Sequence, residues 1–489
     1  MDADREPYLR SPLQRPLQYD EPRLGEVLTG IARRVREAGG TAYLVGGGVR
    51  DHLLGEVVRD LDLEVFGLEP HRLQALLERH HRLDLVGRTF GVLKLRGLPV
   101  DVSIPRRELK TGQGHRGFTV DADPFLPLGM AARRRDFTVN ALYLDPLQSE
   151  VVDPVGGLAD LGDRVLRHAS AAFVEDPLRV LRAMQLAARF EMTVAPETVA
   201  LCRRIGTEGL ARERIGEEWR KLVVRGRRPS RGLTFLRASG WLDHYPELAA
   251  LVDCGQDPVW HPEGDVWTHT LHALDAFAAE RVHDPWEDLV VGLAVLCHDL
   301  GKPATTRRDE ETERIRSLRH ESAGEEPTRS FLARLTAHAD LVAAVVPLVR
   351  HHLKPQGLYD AGASDAAIRR LASKVGRIDR LVRVARADAL GRPPLAGTFP
   401  AGDWLLERAR ALAVADSRPQ PLVRGRDLIA LGVSPGPQMG ALLEELYEAQ
   451  LDGRFITAEE GLERARRLIA RRGGTPQDPP PPGASGTGR

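Results

Sequence analysis

The stretch YLVGGGVRDHLLGEVVRDLDLEVFG, residues 43–67, decides how the N-terminal part of the chain folds. A strand-like segment runs into the glycines of residues 46–48, and a helix-like segment follows them. Glycine lets a ligand approach the backbone closely, and N–H groups at the start of a helix attract phosphate. Arg50, in the first turn, would add a positive charge for a triphosphate. The stretch therefore predicts a phosphate-binding turn at Gly46, Gly47 and Arg50, although many glycine runs are simple turns.

A pair of carboxylates follows this turn. Asp60 and Asp62 are two residues apart in an apolar strand, so both side chains project from one face while Leu61 and Leu63 point into the core. Neighbouring carboxylates repel each other, which is costly without cations. Two Mg²⁺ ions, roughly 3.5–4 Å apart, would remove this repulsion and hold the attacking and leaving oxygens of a phosphoryl transfer. A solvated strand end is the alternative, but the preceding glycine turn favours a metal site.

The flanking sequence predicts an α/β head over residues 23–160. Helix-like segments (LGEVLTGIARRVREAGG and PHRLQALLERHH) alternate with strand-like ones (TAYLVGG, DLDLEVFG, TFGVLKLRG and LPVDVSI). Helical periodicity then dominates. We expect a flexible arm over 1–22, a helical neck and body over 161–255, a second helical domain over 256–395, a helical C-terminal segment over 396–470 and a disordered tail over 471–489.

Composition limits the partners and the compartment. Lys+Arg and Asp+Glu number 69 each in 489 residues, so an RNA site has to be a local patch. Residues 203–231 hold ten Lys/Arg against four Asp/Glu, which suits RNA phosphate contacts but is equally typical of a solvated face. Three widely spaced cysteines, and the lack of a signal-type or membrane-length apolar segment, predict a cytoplasmic protein with no membrane partner.

A second cluster of polar residues lies in the middle of the chain, in HPEGDVWTHTLHALDAF (261–277) and VLCHDLGKPATT (295–306). The adjacent His298 and Asp299 stand on an apolar helix, where burying both without a partner would be expensive. Imidazole and carboxylate together suit a divalent transition metal. This part of the sequence therefore predicts a second metal site.

Residues 43–67 resemble the signature of the polymerase-β-type nucleotidyltransferases, and more closely that of the bacterial class II CCA-adding enzymes and their poly(A) polymerase relatives. Three further blocks carry the same resemblance: ARRRDFTVNALYLD (132–145), VEDPLRVLRAMQLAARF (174–190) and ERIGEEWRKLVV (213–224). The resemblance implies a polymerase-β-like α/β head followed by a mainly helical neck and body. It also implies Mg²⁺-dependent addition of C and A, from CTP and ATP, to the 3′ end of tRNA.

The resemblance also implies roles for single residues. Asp60 and Asp62 would hold the metals, with Asp101 as a third acid on a neighbouring strand. The nucleotide would contact a set made of the glycine turn and the later blocks, namely Gly46, Gly47, Arg50, Arg135, Asp136, Asp176, Arg179 and Arg182. The polar, glycine-containing segment 104–124 corresponds to a flexible loop in the family, and its presence favours full CCA addition or A addition.

Base choice can be argued from hydrogen bonds. Cytosine and adenine present an amine donor beside a ring-nitrogen acceptor, whereas uracil and guanine present a carbonyl beside an N–H. One Asp and one Arg side by side therefore accept C and A and reject U and G. Asp176 and Arg179 are three apart in a predicted helix and so would share a face. A surface ion pair of little value is the alternative.

The second cluster resembles the HD phosphohydrolase pattern, which occurs fused to a subgroup of CCA-adding enzymes with phosphatase and cyclic phosphodiesterase activities. The resemblance implies His269, His298, Asp299 and Asp388 as ligands of a divalent transition metal. His320 with either His351 or His352 would bind a second metal. A degenerate HD domain that only contacts tRNA is an alternative.

Other functions remain open at this stage. The same head would serve an enzyme that adds only CC or only A, or a poly(A) polymerase. The chain could also be an HD hydrolase with an RNA-binding head, or an RNA-binding protein with inactive sites.

Overall fold

The computed structural model describes residues 8–84, 92–110, 118–393 and 397–472. The chain divides into two compact units, Met1–Pro246 with Arg334–Thr336, and Glu247–Ala333 with Ala337–Arg489. In the described ranges, no helix is both long and apolar enough to cross a membrane.

The first unit begins as an α/β domain and ends in helices. Its strands are β1 (Leu9–Pro12), β2 (Thr41–Val45), β3 (Leu61–Phe66), β4 (Leu83–Asp84), β5 (Val92–Leu95), β6 (Val100–Ser103), β7 (Arg106–Lys110), β8 (Phe118–Ala122), β9 (Tyr143–Asp145), β10 (Glu150–Asp153), β11 (Val165–Leu166) and β12 (Thr193–Val194). Its helices are α1 (Arg23–Glu37), α2 (Gly47–Leu53), α3 (Pro70–Glu78), α4 (Leu128–Arg133), α5 (Gly157–Gly162), α6 (Leu178–Phe190), α7 (Pro196–Cys202), α8 (Arg212–Arg225) and α9 (Pro229–Ala238). Short 3₁₀ helices cover Thr138–Asn140, Ala171–Glu175 and Trp241–His244.

An eight-stranded mixed sheet, in the order β1-β10-β9-β2-β3-β6-β5-β4, organises this unit. Burial alternates along β3: Leu61, Leu63 and Val65 are buried, and Asp62 between them is exposed. β3 and β6 pair in parallel with Asp62 opposite Asp101. Because side chains alternate between the faces of a sheet, the two acids lie on the same face. The α/β head is confirmed; Asp60 directly precedes β3, and its placement on one face with Asp62 stays a prediction.

Two loop predictions differ from the structure. Residues 1–22 are not simply a flexible arm, because β1 pairs antiparallel with β10 and covers the edge of the sheet. The hydroxyl of Tyr8 also accepts a hydrogen bond from the Gly129 N–H at 2.9 Å. The segment 104–124 contains the antiparallel pair β7 and β8 rather than an irregular loop, and residues 111–117 lie outside the described ranges. Composition alone does not show that polar segments can complete backbone pairing.

The boundary between the units falls within α10 (Pro246–Ala249). Among its described residues, the second unit is helical apart from the short hairpin β13 (Thr306–Arg308) and β14 (Ile315–Ser317). Its helices are α11 (Val266–Ala279), α12 (Pro285–Cys297), α13 (Lys302–Thr305), α14 (His320–Ala323), α15 (Glu325–Leu335), α16 (Ala339–His351), α17 (Lys354–Asp360), α18 (Asp365–Val375), α19 (Ile378–Leu390), α20 (Pro400–Ala411), α21 (Gly425–Ala430), α22 (Pro437–Leu451) and α23 (Ala458–Arg471).

The centre of the second unit is formed by apolar helices. α12 is buried almost all round from Val290 to Cys297, which fits a helix surrounded by other helices. The last helices have a core of their own around Leu428, Leu446 and Phe455. The predicted helical C-terminal segment is present. The predicted disordered tail lies outside the described ranges from residue 473 onward.

Candidate functional site

The glycine turn of the first unit faces the acid pair. Gly46 ends β2 with φ at +69°, a backbone conformation that glycine adopts without strain. A Cβ at this position would lie 3.3 Å from Nη1 of Arg135 and 3.8 Å from Oδ2 of Asp62. The absence of a side chain therefore leaves the space between the turn, this arginine and the carboxylate open for a ligand.

Three acids lie near one another beside this turn. Both Asp60 and Asp62 are exposed, and Asp101 lies opposite Asp62 on β6. Although the Asp62 side chain reaches solvent, partial burial raises its pKa, and the neighbouring charges of Asp60 and Asp101 raise it further, against the effect of Arg135. Lys94 Nζ lies 2.6 Å from Asp101 Oδ2. A divalent cation would relieve the same repulsion, so the donor set fits Mg²⁺.

The Arg50 side chain, predicted to contact a triphosphate, is held by contacts with the protein. Its side chain is 4% exposed, and its guanidinium lies 4.4 Å above the centre of the Phe190 ring. It donates to Asp51 Oδ1 at 2.9 Å and to Asn140 Oδ1. These contacts hold the arginine between α2 and α6, and its contact with a triphosphate stays a prediction.

Asp136 is likewise held by protein groups. Its Oδ2 accepts from Arg182 Nε at 2.7 Å, and its Oδ1 accepts from Asn140 Nδ2 and from the Phe137 N–H. Burial alone would raise its pKa, but Arg182 and these hydrogen bonds lower it to about 2. Asp136 therefore stays ionised, and it positions Arg182 rather than facing solvent.

A cleft of about 230 Å³ lies beside the acid strand. Arg135 Nη2 is 3.3 Å from Glu64 Oε2, which stands two residues after Asp62 on the same strand face. The cleft is lined by residues of the sheet and of α4, namely Glu64, Val92, Ser103, Ile104, Arg106, Ala131, Arg134 and Arg135. Glu64 and Ser103 were not predicted as site residues, although their period-two spacing from Asp62 and Asp101 is the signal that would have found them.

The base-reading pair is placed differently from the prediction. Asp176 is extended, with φ −122° and ψ 103°, and precedes α6, while Arg179 lies in the first turn. Pro177 accounts for this, because the residue before a proline avoids the helical region. Asp176 Oδ2 accepts from Arg214 at 3.0 Å, and Arg179 donates to the carbonyls of Ala172 and Arg134. An arginine carries five N–H groups, so these bonds anchor Arg179 without preventing a base contact.

The predicted metal ligands of the second unit converge. His269 comes from α11, the pair His298 and Asp299 follows α12, and Asp388 comes from α19. Nε2 of His269 lies 3.1 Å from Asp388 Oδ1 and 3.3 Å from Nε2 of His298. Nε2 of His298 is also 3.1 Å from Asp299 Oδ2. All four side chains are buried.

A second group adjoins the first through Asp299. Its Oδ1 lies 3.3 Å from Nε2 of His320, which is in turn 3.3 Å from Nε2 of His352. The three ligand atoms could hold one ion, as could those of His269, His298 and Asp388. His352, and not His351, is the member that joins this group.

The tautomers of these histidines show why a cation fits. Nδ1 of His298, His320 and His352 lies 2.7–2.8 Å from a backbone carbonyl, so each Nδ1 carries the proton. The Nε2 lone pair of His320 then faces that of His352, and that of His298 faces Nε2 of His269, so neither pair can form a hydrogen bond. Burial lowers the pKa of His352 to about 3, which keeps it neutral. Converging lone pairs beside carboxylates are the donor set of a divalent metal site.

Residues that were not predicted surround these ligands. Glu263 Oε1 is 2.8 Å from Nδ1 of His269, the carboxylate–histidine arrangement that orients a metal ligand. Lys302 Nζ is 2.7 Å from Asp299 Oδ2, and Arg392 Nη2 is 2.8 Å from Asp388 Oδ1. Burial alone would raise the pKa of Asp388, but Arg392 and the histidines hold it well below its ordinary value. Arg392 is four residues after Asp388, a helical spacing that would have indicated the pair.

The basic segment 203–231 is only partly available to RNA. Arg214, Arg220 and Lys221 pair with acids of their own unit. Six of the ten cations are exposed side chains, namely Arg203, Arg204, Arg212, Arg225, Arg227 and Arg228. Arg227 pairs with Glu56.

A mixed sheet that carries a glycine turn and a carboxylate pair, continued by helices, defines the first unit as a nucleotidyltransferase. The family model of the poly(A) polymerase head domain matches residues 42–167. The chain is 37% identical over 416 residues to the multifunctional CCA protein of Xanthomonas campestris pv. campestris (strain B100), covering 82% of this chain and 95% of that one. It is 38% identical to the multifunctional CCA protein of Stenotrophomonas maltophilia (strain K279a), and the match covers 82% of this chain and 96% of that one. The chain belongs to the multifunctional CCA protein family, whose members are tRNA nucleotidyltransferases.

Solved structures agree on the fold. The Bacillus stearothermophilus CCA-adding enzyme in complex with CTP is similar with a TM-score of 0.61 and 22% identity, over 92% of this chain and 100% of that one. The Thermotoga maritima CCA-adding enzyme complexed with tRNA has a TM-score of 0.55 and 19% identity, over 92% and 96%. The predicted polymerase-β-like head with a mainly helical remainder is thereby confirmed.

Proposed function

We propose that the first unit adds C and A, taken from CTP and ATP, to the 3′ end of tRNA, with Asp60, Asp62 and Asp101 as its metal-holding acids. The observation that carries this proposal is the register of Asp62 with Asp101 beside the open turn at Gly46. Mg²⁺ bound by the acids would polarise the α-phosphate and stabilise the leaving pyrophosphate. The tRNA 3′-hydroxyl attacks the α-phosphorus, and the bond to pyrophosphate breaks.

The chain's own residues position the nucleotide. Gly46 and Gly47 bring backbone close to the triphosphate, and Arg135 lies at the same opening. Arg182, which Asp136 holds, supports the nucleotide, and Asp176 with Arg179 reads the base. The exposed arginines of 203–231 contact phosphates of the tRNA, which positions the RNA without reading its sequence.

The product is tested with tRNAs truncated at each step, Mg²⁺ and single nucleotides. We expect C on tRNA lacking CCA and A on tRNA ending in CC. An enzyme that adds only CC would stop before the A, and an enzyme that adds only A would act only on tRNA that already ends in CC. A poly(A) polymerase would continue beyond one A. Incorporation of U and G as readily as C and A would contradict the base-reading account.

Asp176→Asn is expected to weaken this discrimination. An amide replaces a pure acceptor by a group that also donates, so the side chain no longer rejects a base carbonyl. Misincorporation of U relative to C should rise roughly tenfold to a hundredfold, from about 1–3 kcal/mol of lost discrimination. Glu175→Gln, the adjacent acid that pairs with Arg134 at 3.2 Å, is the matched control and should leave the ratio unchanged.

Gly46→Ala is expected to raise KM for CTP and ATP about tenfold or more. The new Cβ would enter the opening at 3.3 Å from Arg135, and the backbone at φ +69° and ψ −133° lies in a sparsely populated region that costs a non-glycine residue about 1–3 kcal/mol. Gly55→Ala is the control, because φ there is +84° and nothing lies within 4 Å of its Cβ. If both variants lose the same activity, backbone strain and not the nucleotide opening explains the effect.

We further propose that the second unit is a metal-dependent phosphohydrolase that acts on phosphomonoesters and cyclic phosphodiesters. The buried groups around Asp299 support this, because a divalent transition metal there would activate water for attack on phosphorus. Lys302 and Arg392 add positive charge beside the acids, which suits a phosphate substrate. A unit that only contacts tRNA would bind no stoichiometric metal.

A further inference from the structure

We propose that Trp260 forms a nucleobase-binding subsite at the mouth of the histidine cleft, so that the second unit selects nucleoside phosphates over phosphate esters that lack a base. This inference rests on the proposed hydrolase function of that unit. It assigns a ligand-binding role to a residue outside the metal-ligand set.

Trp260 is exposed at the edge of the cleft that contains the metal ligands. Its side chain is 58% exposed, which is unusual for so large an apolar group. It lines the same cavity of about 280 Å³ as Asp299, His320 and Asp388. Trp286 is also exposed in this unit but does not line the cavity.

The backbone beneath this indole is fixed. Asp257 accepts hydrogen bonds from the Val259 N–H through its side chain, and from the N–H groups of Trp260 and His261 through its carbonyl, at 2.9–3.1 Å. Its Oδ2 also accepts from Arg314 Nε at 2.8 Å. The turn is thereby tied to the hairpin of β13 and β14, and the backbone that carries the ring is held in place before a ligand arrives.

The same turn is connected to the metal ligands. His261 Nδ1 lies 2.8 Å from Glu263 Oε1, which is also 2.8 Å from Nδ1 of His269. One carboxylate therefore fixes both the residue next to Trp260 and a predicted metal ligand. The distance between the aromatic rim and the site of hydrolysis is set by this bonded chain and not by a loose loop.

The two ends of the cleft differ in chemistry. Its inner end has the histidines with Lys302 and Arg392, which suit a phosphate, and its rim has the indole with Ile315 and Leu353, which suit a flat apolar ring. A nucleoside phosphate has both features. Stacking of a base on an aromatic side chain contributes about 1–3 kcal/mol and tolerates any base, so this subsite would select for a base and not for its identity.

Steady-state hydrolysis by the full chain, loaded with a divalent transition metal, tests the subsite. Adenosine 2′,3′-cyclic phosphate is compared with glycerol 1,2-cyclic phosphate, which has the same cyclic ester and no base. For Trp260→Ala we expect KM for the nucleotide to rise roughly fivefold to a hundredfold, from about 1–3 kcal/mol of lost stacking, and KM for the glycerol ester to stay within about twofold. Trp260→Phe should restore most of the affinity, and Trp286→Ala should resemble the unaltered chain.

The same comparison with an RNA that ends in a 2′,3′-cyclic phosphate identifies the source of the base. A base-dependent loss on the free nucleotide, the RNA or both supports the subsite. Equal losses on the nucleotide and the glycerol ester would show a structural role for Trp260 and overturn the proposal. No loss on any substrate would overturn it as well.

A binding measurement separates this proposal from the hydrolase proposal. Adenosine 2′-monophosphate should quench tryptophan fluorescence more than ribose 5-phosphate does, and the difference should disappear in Trp260→Phe but persist in Trp286→Phe. If the chain hydrolyses neither cyclic ester, the hydrolase proposal fails while this result still decides the subsite. Quenching that persists in Trp260→Phe would overturn it.

Discussion

Asp60→Ala is expected to lower nucleotide addition by about a thousandfold or more while leaving hydrolysis by the second unit unchanged. The carboxylate directly precedes β3 and lies close enough to Asp62 that its charge, after partial burial, raises the pKa of Asp62. Removing one acid removes a metal ligand from the centre of the reaction, where each factor of ten corresponds to about 1.4 kcal/mol of lost transition-state stabilisation. Single-nucleotide incorporation into truncated tRNA measures the loss.

Asp84→Ala is the matched control for this substitution. Asp84 is also an acid of the same sheet, at the end of β4, and within the described ranges it has one ionic partner, Arg96 at 3.9 Å. This variant should add nucleotides at the normal rate. If Asp60→Ala retained full addition under saturating Mg²⁺, the acids of β3 would not hold the catalytic metals and the assignment of the first site would fail.

The parts of the first site that follow from local spacing could be predicted. Two acids at period two in an apolar strand define their own face, and a glycine turn before a helix defines an opening. Asp101 was predicted only from the resemblance. Strand pairing determines which residue lies opposite Asp62, and the local sequence does not specify that pairing.

Burial and long-range strand pairing in this unit were not predicted. Arg50 and Asp136 have the residue types of a nucleotide site, but each satisfies a buried partner, and sequence spacing does not report which side of a turn faces solvent. Asp176 was placed on a helix that begins only after Pro177. The strand pairing of Leu9–Pro12 was missed because its partner is more than a hundred residues away.

In the second unit, the metal ligands were predicted better than their surroundings. The structure brings His269, His298, Asp299 and Asp388 together, since the first three stand on or beside the apolar helices α11 and α12 and Asp388 stands on the buried face of the amphipathic helix α19. Glu263 and Lys302 were missed, although both lie in the quoted segments. Their significance depends on contacts with the imidazole and carboxylate groups of other helices, which a single sequence does not display.

His298→Ala is expected to show the reverse of the first result, with hydrolysis lost by about a thousandfold or more and nucleotide addition kept within about twofold. Its Nε2 lies 3.3 Å from Nε2 of His269 and 3.1 Å from Asp299 Oδ2, so His298 contacts both predicted metal groups. Loss of a ligand lowers both metal affinity and activation of the bound water. Hydrolysis of a cyclic phosphodiester and the bound metal per chain, by elemental analysis, measure the two effects.

His272→Ala controls for the loss of a histidine, because this side chain is exposed on α11 only three residues after His269. His298→Asn keeps a polar side chain at the buried position and separates the loss of a ligand from the creation of a cavity, which costs stability in proportion to its volume. Normal metal content and hydrolysis in His298→Asn would show that His298 is no ligand. Because His298 and its predicted partners belong to the second unit, a variant that lost nucleotide addition equally would have a folding defect of the whole chain, which thermal unfolding would reveal.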